Sequence, residues 1–471
     1  MREFVKSTVS LPWALSLFGV EQLTNILMPQ NSGKATAAFD TVTQATGEQL
    51  SELVQGLYLL GDTLQRDMTD WAFRLLTPEV FNPWSAVNSE LWQQSADVLR
   101  NLNPGQAAWL TLRELQNKVQ VFTLVRNIPT TLQLPETPPY PSLLEAVQRA
   151  YAMDQYSTLW AVEGIGHWYG DTFFTRQEVP RGILREAYIR DVPEESFTML
   201  NAGIGMSFAQ HWIKTVNHRS APADIRPVVE QITALCRDNA TPGYEGAALE
   251  SLGLITRNGQ FYNETRPDLM VQLVGRELEH MDPDAFDHFW RGAGRAHYFL
   301  PIHFLPAYGS VWHAYKMIRQ AVPNQRAWLN AIGGLAWGFS TVNIRHPQVV
   351  VNFVQHHGAQ VAADDGFANG VASTFMMRYD TTPTAPFIQP FYQYQPDAAN
   401  PQLVQLWHDL VQRPITVALQ EYYPILKRNQ RLGEIFRYQS LPVLVAQLEH
   451  TTYPGSRGQD SCCTEREPAS L

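Results

Sequence analysis

The side chains that could do chemistry are charged residues beside glycines. Glu163, Glu245 and Arg291 each directly precede a glycine, and Arg295 directly follows one. If the helices that carry them line one interior, carboxylates beside guanidinium groups could hold a polar ligand, or serve as acid and base with shifted pKa values. The same groups could instead form ion pairs that lock neighbouring helices together, and we favour that interpretation because structural networks also perturb charges.

Two histidines complete the candidate set. His167 lies one helical turn after Glu163, and His297 lies just after Arg295. The sequence leaves open whether the protein is an enzyme. The candidate catalytic residues of a central polar pocket are Glu163, Glu245, Arg291, Arg295, His167 and His297.

A second group of polar residues raises the question of a metal site. Histidines and acids gather between Glu277 and His303, and Asp284 and His288 lie four residues apart on one helical face. A recognisable site would pair an ExxH or HExxH motif with partners elsewhere, and that spacing is missing. We predict no metal, with Asp284 and His288 as the nearest candidates, and interpret the acids as charges that stabilise a helix N-terminus.

The segment Gly292-Ala293-Gly294 invites comparison with a dinucleotide-binding loop. Such a loop needs a preceding strand, the full GxGxxG spacing and a helix that starts at the phosphate, and the sequence supplies none of these. We therefore predict no nucleotide and no other cofactor.

The composition limits which binding partners and which cellular compartment we expect. The chain of 471 residues has a formal net charge of -10 and no basic run, which argues against nucleic acid. Its three cysteines cannot form a disulfide framework, which indicates a reducing, cytoplasmic setting. Cys236 stands alone in an apolar helical context that predicts an inert core thiol, whereas Cys462 and Cys463 lie in the tail.

Six glycine-centred segments recur about forty residues apart, a period that accommodates two helices and their turns. The pattern predicts an all-α fold with an array of about six helical-hairpin repeats whose inner helices are rich in glycine. Glycine inside a helix costs about 1 kcal/mol relative to alanine, so its repeated use indicates close approach of helix backbones. The six glycines are Gly164, Gly203, Gly246, Gly292, Gly333 and Gly370.

In most copies an aromatic residue follows the glycine after a turn and a half. We expect these rings to line a surface that offers apolar contacts to a ligand or a protein partner. They are Tyr169, Phe208, Tyr298, Phe339 and Phe375.

Periodicity and proline positions predict the domain organisation. Residues 1–36 form an amphipathic segment, 37–128 an antiparallel helical bundle, 129–141 a Pro-rich linker, 142–453 the repeat domain and 454–471 a disordered tail. No apolar run is long enough to span a bilayer. Residues 1–28 could contact a membrane peripherally or dock on their own bundle, and the sequence leaves both possibilities open.

At the glycine segments the sequence resembles the uncharacterised UnbL-type domain family associated with enediyne polyketide biosynthesis. The most similar segments are Asn-Ala-Gly-Ile-Gly at 201–205, Tyr-Glu-Gly-Ala-Ala at 244–248, residues 292–299 and Gly-Gly-Leu-Ala at 333–336. They occur in the family's order, and the resemblance covers about residues 112–380. It implies a secondary-metabolism setting and transfers no catalytic residue.

These observations support three hypotheses about function. The first is an accessory protein of secondary-metabolite or lipid-like biosynthesis that binds an apolar ligand or protein partner. The second is an enzyme of the same pathway with an acid/base site of Glu and Arg or His in a central pocket. The third is a membrane-peripheral scaffold anchored by the N-terminal segment.

Overall fold

The computed structural model of the protein describes residues 106–259, 268–300 and 310–452. Within these ranges it contains helices and no strand, which confirms the all-α prediction. No helix there is long and apolar enough to cross a membrane. The helices are α1 Gln106–Thr131, α2 Leu143–Tyr151, α3 Gln155–Thr175, α4 Glu186–Ile189, α5 Phe197–Ile213, α6 Pro222–Asn239, α7 Glu245–Gly259, α8 Leu269–Met281, α9 Pro283–Tyr298, α10 Ser310–Ala321, α11 Gln325–Val342, α12 Pro347–Val361, α13 Gly366–Thr381, α14 Ile388–Tyr392, α15 Pro401–Trp407, α16 Arg413–Val417, α17 Tyr423–Arg428 and α18 Leu441–Thr452.

Side-chain caps fix where several central helices begin. At the start of α3, the Asp154 carboxylate accepts the backbone N–H groups of Tyr156 and Ser157, both at 3.1 Å. Asp282 and Asn324 each accept one backbone N–H in the first turn of α9 and α11. Each cap satisfies donors that a helix N-terminus leaves unpaired.

The six predicted glycines lie in six helices that contact one another in chain order. We call α3, α5, α7, α9, α11 and α13 the glycine layer. Neighbouring helices run parallel, because contacts advance in step along both: Gly166 meets Gly203, and Gly170 meets Ser207 four residues later. The longer intervening helices, such as α6 and α8, pack outside this layer.

The Gly-x-Gly pattern has a geometric explanation. On α5, a methyl group at Gly203 would lie 2.1 Å from the carbonyl oxygen of Glu163 on the preceding helix. A methyl group at Gly205 would lie 2.1 Å from the carbonyl oxygen of Ala248 on the following helix. Residues two apart on a helix point about 200° apart, so each glycine serves one of two neighbours. The predicted close approach of backbones is therefore confirmed.

The same division of roles recurs on α9. A methyl group added at Gly292 would lie 1.8 Å from the Glu250 carbonyl oxygen of α7, and one added at Gly294 would lie 1.9 Å from the Ala331 carbonyl oxygen of α11. Real side-chain carbons do not approach other atoms this closely, so no larger residue fits without moving a helix. The glycines thus set the spacing between helices.

The last helix of the layer contacts the first two. The Arg378 guanidinium on α13 donates to the Tyr156 carbonyl oxygen at 3.1 Å, at the start of α3. The Thr198 hydroxyl on α5 donates to Asp380 at 2.8 Å. Lys427 on α17 pairs with the same carboxylate at 2.8 Å. The glycine layer therefore returns on itself and encloses an interior.

The aromatic residues that follow the glycines are core residues. Phe208, Tyr298, Phe339 and Phe375 are buried, and Tyr169 is half-buried against the core. Helices this closely spaced turn the rings toward each other and away from solvent. An apolar ligand would have to enter the protein to reach them.

The predicted linker begins later than expected. Helix α1 continues through Pro129 to Thr131, since a proline near the end of a helix removes few hydrogen bonds. The same helix, which we assigned to the N-terminal bundle, packs on the glycine layer: Ile128 fills the space beside Gly164, and Asn117 donates to Asn343 at 2.8 Å. The rest of that bundle, the 1–28 segment and the 454–471 tail lie outside the described residues.

A matched pair of glycines in α11 tests the backbone contact. A methyl group added at Gly334 would lie 1.9 Å from the Arg291 carbonyl oxygen. One added at Gly338 would have a Tyr298 ring carbon as its nearest atom, at 3.2 Å. We expect Gly334→Ala to lower the free energy of unfolding by about 3 kcal/mol or more, because a backbone must move. Gly338→Ala should stay within about 1 kcal/mol of wild type, because its gain in helix propensity offsets a small ring displacement.

Urea denaturation followed by circular dichroism measures both variants. Equal effects of the two substitutions would contradict the assignment of Gly334 to a backbone contact.

Candidate functional site

The interior of the glycine layer contains a buried carboxylate–arginine–carboxylate cluster. Arg295 on α9 donates to Glu163 on α3 at 2.6 Å and to Glu250 on α7 at 3.1 Å. The exposed fractions of Glu163, Glu250 and Arg295 are 5%, 1% and 2%. One guanidinium group thus joins three helices, of which α3 is not adjacent to the other two in the layer.

Burial governs the electrostatics of this cluster. It raises the pKa of Glu250, against the lowering influence of Arg295 and Arg291. Burial opposes the charge on Arg295 as well, but attraction to Glu163 and Glu250 outweighs it and raises the pKa of the guanidinium. The three groups therefore depend on one another, because each charge has lost the water that would stabilise it alone.

Aromatic rings border the cluster on one side. The Arg295 guanidinium lies 4.1 Å from the ring centroid of Trp337, close enough for a cation–π interaction. The Trp337 ring meets Trp160 edge-to-face with centroids 6.3 Å apart, and Trp160 meets Phe299 in the same way at 6.4 Å. The interior thus changes from charged to aromatic over adjacent side chains.

The aromatic row continues to another pair of arginines. Arg378 on α13 lies 5.7 Å from the Trp160 ring centroid and 5.1 Å from that of Tyr156. Arg345, just after α11, lies 3.6 Å from the centroid of the same Tyr156 ring. Burial lowers the pKa of Arg378 to about 10.

Several donors along this row make no hydrogen bond to a described residue. They are the indole N–H groups of Trp160 and Trp337, Nε of Arg295, and Nε and Nη2 of Arg378. Buried donors are nearly always paired in folded proteins, and leaving one unpaired costs about 1–3 kcal/mol. A row of such donors indicates a place where acceptor atoms of water or of a ligand belong.

Arg291 does not join the carboxylate cluster as predicted. Its guanidinium points to α13, where it donates to the Ser373 hydroxyl and contacts Asn369 Oδ1 at 3.5 Å. Burial lowers its pKa to about 10. Arg291 and Arg295 lie one turn apart on the same face of α9, so they differ in height along the helix: Arg291 meets α13, whereas Arg295 meets α3 and α7.

Glu245 and His167 also lie away from Arg295. Glu245 occupies the first turn of α7, about 7.5 Å along the helix axis from Glu250, and a carboxylate there stabilises the helix macrodipole. His167 is half-buried, with Nε2 at 3.0 Å from Gln210 Oε1. Of the six predicted site residues, the cluster brings together Glu163 and Arg295.

His297 belongs to a second buried group. Its Nε2 lies 3.1 Å from Asp268, its Nδ1 lies 2.7 Å from the Ala293 carbonyl oxygen, and Arg257 pairs with the same Asp268 at 2.6 Å. Hydrogen bonds and charge from His297 and Arg257 lower the pKa of Asp268 despite its burial. The group is an ion-pair network of the kind we favoured for the charged residues, although Nη1 of Arg257 makes no hydrogen bond to a described residue.

The nearest metal candidates have other partners. His288 is buried, with Nδ1 at 2.7 Å from the Phe436 carbonyl oxygen, and burial lowers its pKa. Asp284 pairs with Arg437 at 2.5 Å and sits in the first turn of α9, as the dipole interpretation predicted. In the described ranges, no group of three or more His, Cys, Asp or Glu residues could hold a metal ion.

Cys236 is fully buried, and burial raises the pKa of its thiol to about 12. The thiol is therefore protonated at neutral pH and a poor nucleophile. This confirms the predicted inert core thiol. Cys462 and Cys463 lie outside the described residues.

The buried cluster makes a prediction about stability. Arg295→Met should lower the free energy of unfolding at pH 7 by about 3–5 kcal/mol, because it leaves Glu163 and Glu250 buried without a partner. Adding Glu163→Gln and Glu250→Gln to that variant should recover much of the loss, since no unpaired charge then remains.

The loss in Arg295→Met should also depend on pH. An unpaired buried carboxylate has a pKa above the ordinary glutamate value of about 4.3, so the folded state binds protons more tightly than the unfolded state. Its stability is then greatest at low pH and falls as pH rises above about 4.3. Urea denaturation at pH 4.5 and pH 8 measures this, and an equal deficit at both values would contradict the prediction.

Comparison with known proteins identifies no relative: no family model matches the chain, and neither a curated protein nor a solved structure matches it.

Proposed function

We propose that the protein is a cytoplasmic accessory protein of secondary-metabolite or lipid-like biosynthesis that binds a small molecule inside its glycine layer. The ligand has an apolar, flat or unsaturated body and carries hydrogen-bond acceptors. The biosynthetic setting rests on the resemblance of residues 112–380 to the UnbL-type family. The binding itself rests on the interior of the layer.

The observation that carries the proposal is the row of donors without acceptors. The indole N–H groups of Trp160 and Trp337 are buried side by side; that of Trp337 makes no hydrogen bond to a described residue, and that of Trp160 has the Tyr156 hydroxyl as its neighbour. A bound water needs two to four polar partners, whereas these single donors emerge from ring edges in an aromatic environment. A ligand that stacks on the rings and accepts from their N–H groups satisfies both requirements.

The enzyme hypothesis has less support from the same residues. A general acid or base must hold its proton loosely near the working pH, and it must reach substrate. Glu163 and Glu250 are instead buried and hold one guanidinium at 2.6 and 3.1 Å, so their oxygens are already occupied by Arg295. We therefore interpret this cluster as the element that orders the helices around a ligand.

A pair of tryptophan variants tests the proposal. The probe is 2-naphthamide, a neutral two-ring compound with a carbonyl acceptor, and its binding is measured by isothermal titration calorimetry. Trp337→Phe keeps a ring but removes one N–H, so we expect roughly 3- to 10-fold weaker binding, equivalent to one hydrogen bond of about 0.5–1.5 kcal/mol.

The control is Trp290→Phe. Trp290 is also buried with an indole N–H that lacks a described acceptor, but its ring packs against Gly275 of the outer helix α8. This variant should bind the probe as wild type does. No measurable binding to wild type, or equal weakening in both variants, would overturn the proposed function.

A further inference from the structure

Positive side chains gather where the start of α3 meets the ends of α11 and α13. Arg345 and Arg378 approach the same Tyr156 ring, with guanidinium carbons 3.6 and 5.1 Å from its centroid. His346 follows Arg345 in the chain, and Arg113 of α1 is close enough to lower the pKa of that imidazole. Four cationic or titratable groups thus come from three parts of the fold.

Carboxylates do not balance these charges. Neither Arg345 nor Arg378 forms an ion pair with any carboxylate in the described part of the chain. Arg345 donates to the neutral Gln120 side chain at 2.5 Å. Asp154 is the nearby acid that acts on both arginines, and its carboxylate is already used to cap α3. Glu163 also acts on Arg378 but is paired with Arg295, so neither Arg345 nor Arg378 has a carboxylate of its own.

The pKa values agree with this charge count. Burial, followed by the charges of Arg113 and Arg345, lowers the pKa of His346 to about 4. Burial, and then the charge of Arg345, lowers the pKa of Arg113. The charges of Arg113 and Arg345 thus add to burial in opposing a proton on His346.

The fold explains only part of this arrangement. Nη1 of Arg378 donates to the backbone carbonyl oxygens of Gln155 and Tyr156, which ties the end of α13 to the start of α3. That role leaves Nε and Nη2 of Arg378 without an acceptor, although the side chain is 0% exposed. Nε of Arg345 and Nδ1 of His346 make no hydrogen bond to a described residue either. The unused N–H groups of the two arginines point to an anionic acceptor.

We propose that Arg345 and Arg378 bind an oxyanion, the carboxylate or phosphate group of a ligand whose apolar body lies along Tyr156 and Trp160. Guanidinium groups suit this role because their planar N–H donors match the oxygens of carboxylate and phosphate. Arg345 is half-buried and Arg378 fully buried, so the oxyanion sits at the rim of the interior. This inference rests on the proposed function and specifies the chemistry of its ligand.

Three probes of one shape separate the alternatives. They are 2-naphthoate, 2-naphthyl phosphate and the neutral 2-naphthamide, each titrated into the full-length protein by calorimetry. We expect one or both anions to bind wild type at least 10-fold more tightly than the amide. The tighter of the two anions identifies the oxyanion class.

Substitutions assign the preference to the arginines. Arg345→Gln should remove most of the anion preference and leave amide binding unchanged. Arg378→Lys should weaken anion binding while keeping a charge that can still donate to the α3 carbonyl oxygens. The control is Arg319→Gln, since Arg319 also lies over an aromatic ring, 5.8 Å from the Trp328 centroid, but on the outer helix α10.

The outcomes distinguish a failure of the oxyanion site from a failure of the proposed function. If all three probes bind wild type equally, or if the preference survives both Arg345→Gln and Arg378→Lys, the oxyanion site is wrong and the proposed function stands. A test with inorganic phosphate covers the opposite case. Thermal unfolding is measured in phosphate and, as the reference, in chloride at the same ionic strength. If phosphate raises the melting temperature of wild type but not of Arg345→Gln, while no naphthyl probe binds, the anion site stands and the proposed function is wrong.

Discussion

The structure depends on direct contact between the backbones of parallel helices. At the crossing of α3 and α5 the glycines 166 and 203 face each other, and a single methyl group would collide with a carbonyl oxygen. Such contact brings helices closer than the usual 8–10 Å between axes, which large side chains enforce. Each glycine costs about 1 kcal/mol of helix stability relative to alanine, and dispersion contacts along the whole crossing offset that cost. The spacing of the layer and the shape of its interior both follow from this choice.

Close spacing has a consequence for the residues beside the glycines. Because the glycines take the faces that touch neighbouring helices, their flanking residues must point into or out of the layer. Glu163 and Arg295 point inward and become buried, and they persist as charges only because they meet each other and Glu250. A buried cluster of this kind adds little net stability. Its effect is on register, since α3, α7 and α9 must keep their present heights for Arg295 to reach both Glu163 and Glu250.

The sequence predicted the parts of this arrangement that depend on local chemistry. Helical periodicity, the close approach at Gly-x-Gly segments and the inert Cys236 follow from residue types and spacing, and the structure confirms them. The partner of Arg295 was harder to predict. Glu245 precedes a glycine as Glu163 does, yet Glu250 makes the contact. Axial shifts between helices decide which residues meet, and no local pattern encodes those shifts.

Other residues of the interior gave no signal in the sequence. Trp160, Trp337 and Arg378 are spread over more than two hundred positions, and only the return of α13 to α3 makes them neighbours. The aromatic residues one and a half turns after each glycine recur in the sequence, but their spacing does not say which of them meet. Once the layer closes, most of these rings become part of the core.

The interior that results is electrically asymmetric. Glu163 and Glu250 lie at one end of the aromatic row, and the unbalanced Arg345 and Arg378 lie at the other. Low-dielectric surroundings strengthen both the attraction of an anion to the arginines and its repulsion from the carboxylates. A ligand with one charged end would therefore bind in a single orientation, its oxyanion at Arg345 and its uncharged end against Trp337. The same burial that forces Arg295 to pair with two carboxylates would thus set the direction in which a ligand lies.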